Sequence, residues 1–388
     1  MSRIDELIEK LCPDGVEHFE LEDCAKIVRG NRVTKSQLKP DKQYPVISGG
    51  VKPLGYFDEY NREENTITIA QYGSAGYIDW QKERFWANDV CYSVYPLESV
   101  LNKYLFYVII NQQDLIYSLK TNAIPAHLPQ NLLGKIKIPV PPLAIQEKIV
   151  EILDQFTQLE TELETELEAR KAQYQFYRNQ FLAFENKEVV WKSLGEIGTF
   201  TRGKRFVRTD MIENGFPCLH YGEMYTHYNV FATESKSFIS PELAKRLRVA
   251  NPGDVVIVAA GETIEDIGKG TAWLGESDIV THDACFSFKS PLNPKYVSYF
   301  LRTRLFHDQI KRHISSGKIS SINAKGLATA KIPVPPMEEQ NRIVKILDQF
   351  DDLVNNISSG LPAEIKARRQ QYEYYRAKLL TFKVMENH

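Results

Sequence analysis

One long stretch occurs twice, and it constrains this chain more than any other feature. Lys137-Ile138-Pro139-Val140-Pro141-Pro142, then Gln146, then Ile149-Val150-Glu151-Ile152-Leu153-Asp154-Gln155-Phe156, returns as Lys331-Ile332-Pro333-Val334-Pro335-Pro336, Gln340 and Ile343-Val344-Lys345-Ile346-Leu347-Asp348-Gln349-Phe350. Further along, Arg170, Tyr174, Phe176, Tyr177, Arg178, Leu182 and Phe184 recur as Arg368, Tyr372, Tyr374, Tyr375, Arg376, Leu380 and Phe382. Two copies separated by less similar sequence indicate a duplicated unit rather than a many-copy solenoid, and a tandem duplication predicts pseudo-twofold symmetry.

The repeated stretch reads as a helix. A double proline suits a first helical turn, so Pro142 and Pro336 mark the starts. Beyond them Ile149, Phe156 and Leu163 recur every seven residues, with Ile152 or Leu153 and Leu159 between, an apolar seam at heptad spacing. The seam slips by four at Leu163 to Leu167 and then continues through Tyr174 and Phe181, beside Arg170, Tyr177 and Phe184. In the second copy Ile343, Phe350 and Ile357 are followed by Leu361 and Ile365, an extra step of four of the kind that unwinds a coil. Gly360-Leu361-Pro362 lies inside that step and predicts an interruption. A continuous helix from Leu143 to Phe184 would be roughly 60 Å long at about 1.5 Å per residue. With Glu160, Glu162, Glu164, Glu166 and Glu168 on its outer faces, it calls for one partner helix, and the other copy is the obvious one. The alternative is two helices each lying on its own domain.

At 388 residues, 43% hydrophobic and 25% charged, the chain has room for two globular domains. The 48 Lys and Arg against 50 Asp and Glu leave a net charge of −2, which neither announces nor excludes a nucleic-acid partner. Cys12, Cys24, Cys91, Cys218 and Cys285 include no closely spaced pair, against a disulfide framework or a cysteine zinc site, and an intracellular, reduced setting is expected. Residues 1–11 read as a short amphipathic helix capped by Ser2, with Ile4, Leu7, Ile8 and Leu11 on one face, rather than as a signal peptide. No apolar run has membrane-spanning length.

The duplication extends beyond the helices. Leu21, Ala25, Ile27, Arg29 and Gly30 correspond to Leu194, Gly198, Phe200, Arg202 and Gly203. Both halves continue with short β-like runs, Pro45-Val46-Ile47 and residues 66–70 in one, residues 217–220 and 255–259 in the other. Residues 89–94 and 283–288 then match, and short helices follow in each half around 104–116 and 295–314.

The residues at 1–15, the paired Lys-Ile-Pro-Val-Pro-Pro blocks and the paired Arg…Gln…Tyr…Tyr-Arg…Leu…Phe tails resemble the specificity subunit of type I DNA restriction-modification enzymes over essentially the full length. The resemblance implies an α+β fold: two pseudo-twofold-related target-recognition domains joined by two long helices forming an antiparallel coiled coil. The expected segments are 1–142 and 189–336 for the domains, 143–188 and 337–388 for the helical spacers. It also implies that each domain reads one half of a bipartite double-stranded DNA target and that the chain itself is not catalytic. Two methylation subunits, which use S-adenosylmethionine to methylate adenine N6, and two restriction subunits, which use ATP and Mg, are the implied partners, in the cytoplasm. No cofactor is expected on this chain. Because the domains differ in sequence, the half-sites should differ.

Candidate DNA contacts come first from two basic loops at matched places, Arg29, Asn31, Arg32 and Lys35 in one half and Arg202, Lys204, Arg205 and Arg208 in the other, where a glycine-bearing turn can bring arginine forks to phosphate or a guanine edge. The alternative is a solvated surface loop. Second-rank candidates are Tyr72 and Ser74, Thr263, and Lys311, Arg312 and Lys318, for which a structural turn competes. Docking of the methylation subunits is expected on the repeated segments through Gln146, Glu147, Arg178, Gln340 and Arg376, against simple solvation.

Enzyme readings find little support. Ser316-Gly317-Lys318 lacks the other residues of a phosphate loop. Asn293-Pro294-Lys295-Tyr296 resembles an amino-methyltransferase motif only superficially and reads better as a packed segment. His282, Asp283 and Cys285 match Asn88, Asp89 and Cys91, so the histidine reads as a packing or hydrogen-bonding residue rather than as part of a nucleophilic site. A structural adaptor and a self-contained modification enzyme remain the alternatives to DNA targeting.

Overall fold

The computed structural model describes residues 3–185, 188–356 and 358–385. Ser2 and Ile357, assigned above to a cap and to the seam, lie outside them. The chain divides into two compact units, Met1–Glu164 with Glu364–His388, and Thr165–Ala363. The divisions fall inside the long helices, not at the segment boundaries the repeat suggests. Each unit therefore holds one globular half, the start of the helix that follows it, and the aromatic tail of the other copy.

In the first unit, the strands Ala25–Arg29, Cys91–Pro96, Thr66–Ala70 and Ile78–Gln81 form an antiparallel sheet in that order. Thr66–Ala70 is buried throughout, as its central place and run of Thr and Ile require. A smaller sheet joins Tyr56–Phe57, Tyr44–Ile47 and Trp86–Ala87. The second unit repeats the main sheet as Thr199–Arg202, Cys285–Lys289, Val255–Val258 and Gly270–Trp273, with Phe231–Ala232 added at the edge. Its other five-stranded sheet runs Met211–Ile212, Ser237–Ile239, Phe216–Leu219, Ile279–Thr281, Val249–Ala250.

The proline blocks do two jobs. Lys137–Pro139 pairs antiparallel with His18–Glu20, and Lys331–Pro333 with Trp191–Ser193. Their carbonyls are then tied down by buried tyrosines: Tyr104 donates to Pro139 O and Tyr296 to Pro333 O, both at 3.0 Å. The helices begin just past the last proline, at Leu143 and at Met337.

Gln146 and Gln340 follow one turn later and are almost fully buried. Gln146 accepts from Leu101 N at 2.8 Å and donates to Pro141 O at 2.8 Å; Gln340 accepts from Asn293 N at 2.9 Å and donates to Pro335 O at 2.9 Å. Each amide satisfies backbone groups that would otherwise be buried unpaired.

The helix Leu143–Ala183 is continuous over 41 residues. Ile145, Ile149 and Leu153 are fully buried at steps of four and join the core of the first unit with Ile67, Tyr104, Leu379 and Leu380. This corrects the expectation of a rod needing only one partner: the start of the helix is a core helix. Farther on, Phe156 stacks on Tyr375 at 5.5 Å, and Arg369 reaches Glu160 at 2.5 Å and Glu164 at 2.9 Å. Ascending positions on one helix meet descending positions on the other, so the packing within this unit is antiparallel. Glu160 is partly covered at that interface, while Glu164 pairs with the same cation from an exposed position. In the second unit the matching ring pair is Tyr177 with Phe350, also at 5.5 Å but tilted by 30°.

The predicted interruption occurs. One helix ends at Asn355 and the next runs Leu361–Leu379. A Cβ on Gly360 would sit 2.4 Å from Asp352 O and 2.7 Å from Leu353 O, so only glycine lets the chain lie against the helix end there. Pro362 then falls in a first turn, where it lacks no needed donor.

Candidate nucleic-acid interface

Each basic loop leaves the first strand of its main sheet through a glycine with no room for a side chain. A Cβ on Gly30 would lie 2.2 Å from Ala87 O, and one on Gly203 2.2 Å from His282 O. Gly30 N donates to Cys91 O and Gly203 N to Cys285 O, each at 3.0 Å. The preceding arginines are tethered alike: Arg29 Nη2 donates to Asp89 O at 3.1 Å and Arg202 Nε to Asp283 O at 2.9 Å. Their own carbonyls are held by further arginines, Arg62 at 2.8 Å and Arg248 at 2.8 Å. Arg62 and Arg248 escaped the sequence reading because they lie at unmatched positions in the repeat; only the fold brings both to the same carbonyl.

Arg32, Lys35, Arg205 and Arg208 are exposed, and among the described residues none of them forms an ion pair. Lys35 and Arg208 each open a short 3-10 turn, Lys35–Gln37 and Arg208–Asp210. Asn31 is exposed, and its carbonyl accepts from Trp86 Nε1 at 2.7 Å; Lys204 Nζ is turned back to Arg246 O at 2.8 Å. Each matched loop thus presents two exposed cations, on a backbone fixed from both sides.

Beneath each loop lies a cavity of about 480 Å³, and the two differ in their walls. In the first unit Val33 and Asn88 line it, and Asn88 Oδ1 accepts from Val33 N at 2.9 Å. In the second, Phe206 and His282 take those positions, joined by His220 and Tyr221. The His220 and His282 rings are 4.8 Å apart, and Phe206 meets His282 edge-on at 5.2 Å. Burial lowers the pKa of both imidazoles; Glu223 opposes this for His220 and Asp283 for His282. His282 is thus a hydrogen-bonding residue, as expected. Burial pushes the Cys91 and Cys285 thiols up to about 12, which leaves neither as a nucleophile.

Among the second-rank candidates, Tyr72 is half-buried and stacks on His127 at 5.3 Å, while Ser74 is exposed in a turn that donates to Gly49 O. Thr263 is spent locally: its hydroxyl bonds Asp266 and closes the turn Ile264–Asp266. Lys311, Arg312 and Lys318 are exposed, with Arg312 Nε on His313 Nε2 at 3.2 Å. The loop carrying Lys318 closes through Ser315 and Ser321, and its Ile319 lines the second cavity beside Arg202, Arg205 and Arg208. The first unit has a matching loop that the sequence reading missed, closed by Thr121 and His127 and exposing Ile124 completely. Its composition differs, so only the shared closure identifies it.

Two of the five docking candidates need correction. Gln146 and Gln340 are consumed by the internal bonds described above and have no surface to offer. Arg178 lies 5.3 Å over Tyr174, and Arg376 5.2 Å over Tyr372 with a bond to Asn111 at 3.3 Å, so both are engaged within their units. Glu147 alone of the five is exposed. Asn293 is the N-cap of the helix Pro294–Phe300, which explains the Asn-Pro pair without any methyl-transfer chemistry. Among the described residues, no helix is long and apolar enough to cross a membrane.

Comparison with known proteins agrees with this geometry. The family model for the type I restriction modification DNA specificity domain matches twice, at residues 13–170 and 186–367. A putative type I restriction enzyme specificity subunit of Haemophilus influenzae is 31% identical, covering 97% of this chain and 98% of its own length. A type I restriction enzyme specificity subunit of Escherichia coli is 36% identical over 64% of this chain and 63% of its own length. The fold is shared with a specificity subunit of Mycoplasma genitalium, at TM-score 0.57 and 17% identity over 94% of this chain and 96% of that one. A chain from a type I restriction-modification assembly gives TM-score 0.62 and 16% identity over 94% and 97%. The duplicated chain, with a basic loop on each of two matched sheets, belongs to the type I restriction-modification DNA specificity family.

Proposed function

We propose that this chain reads an asymmetric bipartite DNA target, one half-site per unit, and so directs adenine-N6 methylation and ATP-dependent cleavage by two methylation and two restriction subunits. It turns over no substrate itself; S-adenosylmethionine, ATP and Mg belong to the partners, and the complex works in the cytoplasm. One observation carries this reading: the loops leave their sheets through the same glycine and arginine bonds, while the cavities beneath them are walled by Val33 and Asn88 in one unit and by Phe206, His220, Tyr221 and His282 in the other. Shared anchoring at the loop's exit suits a common task, contact with a DNA backbone that is the same everywhere. Different walls suit different half-sites, because base edges differ in their donors, acceptors and methyl groups.

The test is to map N6-methyladenine in the host genome with and without this chain. A two-part asymmetric sequence that loses methylation when the chain is deleted is expected. Exchanging residues 204–208 for residues 31–35 should alter one half of that sequence and leave the other intact. Methylation indifferent to the deletion would refute the reading.

A further inference from the structure

The cavity of the second unit carries a feature its counterpart lacks. Phe206, His220, Tyr221 and His282 form its aromatic floor, and Arg202, Arg205, Arg208, Glu262 and Asp283 are the charged groups that line it. Glu223 approaches from the short helix behind His220 by accepting from His220 N at 2.9 Å. Arg248 comes from just before the strand Val249–Ala250 and is occupied at Arg202 O. Three guanidiniums thus face two carboxylates, and Arg205 and Arg208 are in no ion pair among the described residues.

The imidazoles are held in the neutral form by more than burial. His220 Nδ1 accepts from Gly222 N at 3.3 Å, and His282 Nδ1 accepts from Ala284 N at 3.1 Å. A nitrogen that accepts carries no proton. Yet His282 Nδ1 also lies 3.0 Å from Asp283 Oδ1. In the neutral ring that approach sets two acceptors against each other; on protonation at Nδ1 it becomes a charge-assisted hydrogen bond to Asp283, which replaces the bond accepted from Ala284 N. The pocket therefore has a partner in place for a proton it does not hold. What opposes the proton is the lost hydration of the rings, together with Arg208 beside His220 and, for His282, first the His220 ring and then Arg205; a backbone hydrogen bond to Phe206 works the other way. An anion between those arginines and the rings would cancel that opposition.

We propose that this cavity is a phosphate-binding pocket in which entry of the anion is coupled to uptake of a proton by the His220–His282 pair. It rests on reading the second unit as a DNA reader only for the source of the phosphate; the chemistry alone suits a DNA phosphodiester or a free phosphate. The first unit, with Asn88 in place of His282 and no second histidine, has no such coupling.

The test uses the full chain and two probes that do not titrate between pH 6 and 8: sulfate as a free tetrahedral dianion, and a random-sequence DNA duplex for the diester. Binding is measured at constant ionic strength at pH 6 and pH 8, with calorimetry in two buffers of different ionisation enthalpy to count protons. For whichever probe uses the pocket, affinity should rise at least about threefold at pH 6, toward the limit of about tenfold per pH unit for one linked proton, with net proton uptake. His282→Asn with His220→Asn should abolish both the pH dependence and the proton uptake. Asn88 in the first unit shows that asparagine can hold such a loop, and Arg205→Ala with Arg208→Ala offers a second variant that should weaken binding. Sulfate binding with uptake assigns the pocket to free anions as well; duplex binding with uptake and no sulfate binding assigns it to DNA. Duplex binding that is independent of pH and of the histidines, with no linked sulfate binding, overturns the pocket while leaving DNA reading intact. Failure to bind duplex at all removes the DNA source, and the sulfate result then decides the pocket alone.

Discussion

The two units share their supports and differ in their walls. Gly30 and Gly203, Gln146 and Gln340, Tyr104 and Tyr296 make the same bonds at nearly the same distances. Val33 and Phe206, or Asn88 and His282, occupy equivalent places and share almost no chemistry. A duplicated fold can diverge where side chains face outward over a cavity. It cannot do so where a side chain completes the backbone's own hydrogen bonds, because each such loss leaves a buried polar group unpaired. A buried side-chain pair is kept in the same way at the helix starts: Tyr107 bonds Asp154, and Tyr299 bonds Asp348 at 2.7 Å.

The sharpest way to break this equivalence is at the glycines. Gly30→Ala and Gly203→Ala should each destabilise the local structure by about 3 kcal/mol, since the new Cβ has only backbone to displace. Hydrogen exchange on peptides from each unit would show the loss confined to the mutated unit and equal in the two. A large effect in one and none in the other would mean the loops are not built alike. Next in size, Gln146→Leu and Gln340→Leu should cost about 2 kcal/mol each by stranding Leu101 N and Asn293 N. A variant with unchanged thermal stability but impaired assembly with methylation subunits would instead make these glutamines docking residues.

Much of the fold was legible from the repeat alone. The helix starts, the break at Gly360 and the matched sheets follow from spacing and from proline and glycine chemistry. What was not legible is which polar residues face inward. Gln146 and Gln340 look like surface residues in a helix, and only the neighbouring strand and helix ends reveal that their amides are needed inside. The burial of Ile145, Ile149 and Leu153 against the sheet was hidden too, since heptad and core spacing overlap over three turns. The pairing of His220 with His282, far apart in sequence, is a product of the sheet order, with Phe216–Leu219 beside Ile279–Thr281.

The basic loops sharpen the comparison on the binding side. Arg32→Ala with Lys35→Ala, and Arg205→Ala with Arg208→Ala, should each weaken duplex binding by about 1–2 kcal/mol, and should flatten its salt dependence by a slope of about one for every phosphate left without its cation. The two pairs should act alike if they touch phosphate and differ between sequences if they touch bases. The histidines predict a smaller asymmetry in stability. Both are held below the ordinary imidazole value in the folded state, so the unfolded chain binds more protons below about pH 6.5. Their contribution is full above that pH and is lost as the pH falls through the folded value. Exchange protection around residues 216–222 and 279–285 should decline from pH 7 to 5.5 more than around residues 44–48 and 86–91, and His282→Asn should reduce the difference.

The smallest effect concerns the tails. Arg369 pairs with Glu160 and Glu164 on the facing helix, whereas its counterpart in the repeat, Lys171, pairs with Glu168 on its own helix at 2.9 Å. The Arg369 side chain is about half exposed, so water and salt screen the pair and its net value is about 0.5 kcal/mol. Arg369→Ala should therefore lower the stability of the first unit slightly at low ionic strength and not measurably at 0.5 M salt, where the Debye length shrinks to about 4 Å. Lys171→Ala should be smaller still, because an exposed intrahelical pair is worth only about 0.3 kcal/mol. The ring contacts of Phe156 with Tyr375 and Tyr177 with Phe350, being apolar, should be the stronger part of both helix pairings. A loss on Arg369→Ala well above 1 kcal/mol, persisting in high salt, would mean that charge rather than aromatic packing holds the tail of the second copy against the rest of the first unit.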